Sequence, residues 1–174
     1  MTRLVAAPSV WALRAVLVAG VLLALLAGVP SGLTPSVVVV VVVTLGALLT
    51  AVRPEGLSGV LTLGIVVVFW TLQLRHEVPG AVLVAAAGLV TAHVAATVLA
   101  YGPPWMPVAR EVLTVWAVRG VLIWLAAPVV WFVARVYADR ATPTTFWLAG
   151  LAAAMVAAVV AAVVVPTQGE EIER

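Results

Sequence analysis

Residues 81–101 read AVLVAAAGLVTAHVAATVLAY, an apolar run with one titratable side chain, His93, near its middle. At ~1.5 Å of rise per residue these 21 residues make a helix about 31 Å long, which matches a hydrocarbon core roughly 30 Å thick. Whatever His93 hydrogen-bonds to must then come from its own helix or from a neighbouring one, because lipid offers no partner.

The rest of the chain fits such a setting. Of 174 residues, 65% are hydrophobic and only 9% charged, against roughly 25% charged in an ordinary soluble domain. The mean hydropathy is +1.25. So few charges cannot cover a water-facing surface, and the class is integral membrane. Cysteine is absent, which excludes disulfides, thiol nucleophiles and cysteine-ligated metals. The net charge is +2 without any arginine cluster, so neither a nucleic-acid footprint nor a polybasic lipid-binding patch is present.

Towards the N-terminus, Arg14 is followed by 38 uncharged residues, twice what one span needs, with Pro30-Ser-Gly-Leu-Thr-Pro35 in the middle. Pro and Gly so placed end one helix and start another. The reading is a hairpin of spans at 12–29 and 35–52, with the first retained as a span in preference to a cleaved signal peptide. Val37–Val43 is seven consecutive valines. In water that run would favour a strand. In lipid an open strand leaves its backbone groups unpaired at several kcal/mol each, so helix is expected.

A polar turn at Arg53-Pro54-Glu55-Gly56 leads to a third span at 57–74, ending in Phe69-Trp70 near where interfacial aromatics sit. The turn Arg75-His76-Glu77 leads into the His93 span, 81–101. Three prolines at 103, 104 and 107 then break the chain. A fifth helix, 108–137, is longer than a bilayer requires, with Pro128 a site for a kink. A sixth, 146–165, is nearly pure Ala and Val. The expected fold is an all-α polytopic transmembrane helix bundle, a single domain over 1–174 with about six spans and short loops. An even count puts both termini on one side. With that side cytoplasmic, Arg3, Arg14, Arg53, Arg110, Arg119 and Arg174 are inside, and Arg75, Arg135 and Arg140 are outside, which agrees with the positive-inside rule for a plasma-membrane protein. No repeat relates the two halves.

Few side chains carry chemistry. Ionisable groups inside spans are functional hypotheses by default, and His93 has Thr97 four residues on, with Ala86, Ala96 and Ala100 nearby. Histidine suits a proton relay or gate; it equally suits a neutral hydrogen bond fixing one helix against another. No acidic partner for His93 lies in the interior of a span, so the second reading is preferred. Arg119 either pairs with Glu55 or Glu111 or reaches out to the headgroups, which is preferred. Arg75, His76 and Glu77 form an outer polar turn, read as solvated and not as a metal site. Trp116, Trp124 and Trp131 recur at steps of eight and seven on one helix face and either pack, the preferred reading, or line a lipid or quinone groove. There is no HExxH, GxSxG, Walker A or paired intramembrane carboxylate. No enzymatic activity and no cofactor is expected.

The run AHVAATVLAYGPP at 92–104, preceded by an Arg-Pro-Glu turn and a Trp-ended helix, resembles a group of small actinobacterial membrane proteins without assigned activity. These are encoded beside MoxR-type AAA+ ATPases and their membrane partners. The likeness is one of pattern, over residues 50–140. It implies a plasma-membrane location and an accessory role beside a chaperone-like ATPase system, and it implies no catalytic residue. The expected function is a non-enzymatic membrane subunit or scaffold in the lipid bilayer, associating with other membrane proteins or with itself. The rival is a small oligomeric transporter or channel with His93 and Thr97 on its pathway.

Overall fold

The computed structural model describes residues 7–73, 79–102 and 105–137. The chain clusters into a compact unit, Met1–Arg135, and a second one, Val136–Arg174; the architecture below is that of the first. All regular structure among the described residues is helical: α1 Pro8–Leu26, a 3₁₀ turn Val29–Ser31, α2 Val37–Val52, α3 Leu57–Gln73, α4 Ala81–Ala100, α5 Arg110–Trp124 and α6 Ala126–Tyr137.

Local chemistry sets the boundaries. Pro8 opens α1 four residues before the expected start, because a proline in the first turn lacks only an N–H that would have no intrahelical partner. Beyond the 3₁₀ turn, Gly32 takes φ 82°, a left-handed conformation that side-chain-bearing residues rarely adopt. Ser36 caps α2, its Oγ accepting the Val39 N–H at 3.4 Å. The valine run therefore enters a capped helix and not a strand. The expected helix 108–137 is present as α5 and α6, interrupted by a turn at Leu125 three residues before the kink site Pro128. The reason is Pro128, which has no N–H to give the Trp124 carbonyl.

The count of about six spans is not supported. Among the described residues, three helices are long and apolar enough to cross a membrane, by length and composition: Pro8–Ser31, Ala81–Ala100 and Arg110–Val133, the last counted across the Leu125 turn. The hairpin helices α2 and α3 are apolar but have 16 and 17 residues, below the ~20 that a full crossing takes. The sixth expected span, 146–165, lies outside the described residues.

α1 is the central helix. It packs most extensively on α4, and also on the α2–α3 hairpin, while α5 packs on α4. α1 and α4 run antiparallel through two facing pairs of small residues, Gly20/Ala24 and Gly88/Ala92. A Cβ on Gly20 would lie 2.9 Å from the Gly88 carbonyl oxygen, and one on Gly88 would lie 2.6 Å from that of Gly20. Close backbone approach of this kind is how helices associate where no hydrophobic effect drives them together. The interior is Leu17, Val21, Leu25, Val43 and Val66 set among alanines. The outer faces are also apolar, with Val37, Val38, Leu57 and Val60 at 69–79% exposure. Water would penalise such a surface; lipid does not.

Candidate functional site

Two tryptophans pin the bundle. Trp70 is buried, and its indole N–H donates to the Ala24 carbonyl at 2.8 Å. Ala24 is in the last turn of α1, where carbonyls lack intrahelical partners, so the indole satisfies a group that would otherwise be orphaned. Trp70 is therefore an interior clamp and not the interfacial residue expected from its place at a span end. Trp124 donates to the Leu83 carbonyl at 3.0 Å and ties α5 to α4. The contact between Trp116 and Tyr101, ring centroids 5.8 Å apart, ties the other end of the same pair. Gly120 lies between them, its missing side chain leaving room for Val90 and Val94. Trp131 belongs to α6, beyond the turn, so the expected Trp stripe is split between two helices.

At one end of the bundle, the start of α1, the α2–α3 turn and the end of α4 surround a cavity of about 510 Å³. Arg14, Arg53 and Glu55 are its charged lining. Arg14 is half-buried; its guanidinium stands 5.0 Å from the Trp11 ring centroid, one turn back towards the helix start. Its Nε is shielded from solvent and makes no hydrogen bond. Ser9 Oγ accepts the Val108 N–H at 3.3 Å and holds the α4–α5 connection at this end. Exposed Trp11, Tyr101 and Trp105 accompany it, as aromatic side chains do at a membrane–water interface.

Beside it, between α1 and α5 across α4, lies a lateral apolar groove of about 480 Å³ with Leu13, Val94, Leu113, Ala117 and Trp124 among its walls. Val98 lines both the groove and the end cavity.

His93 is on neither. It is exposed on the outer surface of α4, and among the described residues its imidazole makes no hydrogen bond. Thr97 is half-buried, and its hydroxyl donates to the backbone carbonyl of His93 at 2.8 Å, so the pair is linked through main chain and not through the ring. Arg119 is exposed, its guanidinium 5.4 Å from the Trp116 ring; among the described residues it forms no ion pair with Glu55 or Glu111. Arg75, His76 and Glu77 lie outside the described residues. Among the described residues no group of three or more His, Asp or Glu side chains could hold a metal.

Sequence reasoning missed the polar contact between α2 and α3. Buried Thr50 bonds the Gly46 carbonyl at 2.8 Å and Ser58 Oγ at 3.3 Å, and buried Thr62 bonds the Ser58 carbonyl at 2.7 Å. The signal was there as small residues four apart, Gly46/Thr50 and Ser58/Thr62. Arg14, read as a flanking charge, was likewise not recognised as a cavity residue.

No family model matches the chain, and no curated protein or solved structure is detectably similar to it.

Proposed function

We propose that the protein is a non-enzymatic integral membrane subunit that binds other transmembrane helices, in partner proteins or in further copies of itself, through the outer face of α4. The observation that carries this reading is the exposure of His93 near the middle of α4, a 20-residue apolar helix long enough to cross a membrane. A polar ring facing lipid has no hydrogen-bond partner, whereas against another helix it finds one. Half-buried Ala86, Ala96 and Ala100 lie within one or two turns on the same strip, leaving room for close approach. The reading includes multi-pass insertion in the plasma membrane with cytoplasmic termini, the arginine-bearing end of the bundle facing inward. An accessory role beside a MoxR-type ATPase, which the resemblance implies, is one form such a subunit could take.

Purification of the tagged protein from its native membrane in mild detergent, followed by mass spectrometry, tests the reading. A stoichiometric membrane partner or homo-oligomer that His93→Ala releases from folded protein supports it. A monomer unchanged by His93→Ala overturns it. The transport reading predicts otherwise: His93→Ala abolishes flux through a homo-oligomer that stays assembled.

A further inference from the structure

We infer that the end cavity and the lateral groove together form a site for one anionic phospholipid, with its phosphate on Arg14 and Arg53 and an acyl chain along the groove. Three observations converge. First, Arg14 is held half out of water with its Nε sheltered and lacking a hydrogen-bond partner. A guanidinium presents its donors in a fork that fits phosphate oxygens, and a buried donor without an acceptor is costly. Among the described residues neither Arg14 nor Arg53 forms an ion pair. Glu55 also lines the cavity, so the three side chains sum to one positive charge, which a single lipid phosphate neutralises.

Second, the depth is right. Arg14 lies in the second turn from Pro8, about 9 Å along the axis, and its head is turned back towards the helix start over Trp11. That is how a cationic side chain snorkels to headgroup level, and Trp11, Tyr101 and Trp105 mark the same level. Basic pockets between helices at the membrane surface bind anionic headgroups. Third, the shape is that of an amphiphile. An end cavity of about 510 Å³ that carries three charged side chains and an apolar groove of about 480 Å³ are both bordered by Val98, and both volumes fall within the ~300–1,000 Å³ usual for ligand sites. A free anion would use the first chamber and leave the second unexplained.

The site is separate from the His93 face, so its test is independent of partner binding. The full-length protein in mild detergent would be titrated with phosphatidylglycerol or phosphatidylcholine and followed by native mass spectrometry. One phosphatidylglycerol should be retained about tenfold better than phosphatidylcholine. Arg14→Gln and Arg53→Gln should each remove most of that preference, Arg14→Lys should keep part of it, and Arg135→Gln should keep all of it. Ala117→Phe, which fills the groove from an exposed position on α5, should weaken retention of both lipids. Equal retention of the two lipids by the native protein, or undiminished preference in folded Arg14→Gln, overturns the proposal. So does competition by inorganic phosphate with no effect of Ala117→Phe, which would mark a free-anion site.

Discussion

Gly20 and Gly88 meet backbone to backbone. Each would drive a Cβ into the other's carbonyl oxygen, at 2.9 Å from Gly20 and 2.6 Å from Gly88. These neighbours are main chain on two packed helices and cannot swing aside as a side-chain tip can.

Gly88→Ala should therefore force α1 and α4 apart and destabilise the bundle by about 1–3 kcal/mol, the usual cost of overpacking. Gly20→Ala should cost less, in keeping with its wider clearances. Gly64→Ala meets nothing within 4 Å and should be neutral or stabilising by up to about 1 kcal/mol, since alanine is the better helix former. Thermal unfolding of the three variants in one detergent checks the order.

Trp70→Phe keeps most of the ring and removes the N–H that satisfies Ala24. The loss should be about 1–3 kcal/mol, because a carbonyl is left buried and unpaired. Trp124→Phe breaks a bond that is only part-buried and should cost less. Chemical unfolding followed by circular dichroism separates the two.

A Cβ at Gly46 would run into the Thr62 hydroxyl. Gly46→Ala alone should be destabilising, and Thr62→Ala should relieve it, since the hydroxyl bonds only its own helix at Ser58. The double-mutant cycle should return a coupling of about 1–2 kcal/mol between α2 and α3. A coupling near zero would mean that the two helices are not packed through these residues.

Pro128→Ala restores the N–H that the Trp124 carbonyl lacks and should fuse α5 and α6 through Leu125. Hydrogen exchange at 124–128 should slow, and distances between spin labels on the two helices should lengthen towards those of a straight rod. Unchanged exchange would assign the turn to something other than the proline.

Helix existence was legible in the chain because hydropathy and Pro/Gly punctuation are local. The helix-over-strand decision at the seven valines needed only the rule that lipid leaves no backbone group unpaired. Ends moved by a few residues where proline or serine capped differently from the hydropathy edge, as at Pro8 and Ser36. Span number was less legible: apolar composition marks α2 and α3 as strongly as α1, but their 16 and 17 residues are fewer than the ~20 typical of a crossing.

By itself the sequence determined the class of the protein: an all-helical chain too apolar for water, with little polar material inside its helices. Composition and periodicity are sums over neighbours in the chain, and they suffice for that. Which face each helix buries was decided only by tertiary structure. The apolar helices here are apolar all round, so no polar stripe distinguishes inside from outside. Packing turns instead on where small residues let backbones approach, as at Gly20 and Gly88, and on which carbonyls a distant indole can reach, as Trp70 reaches Ala24. The same geometry turned His93 outward and brought Arg14 and Arg53, 39 residues apart in the chain, to the rim of one cavity.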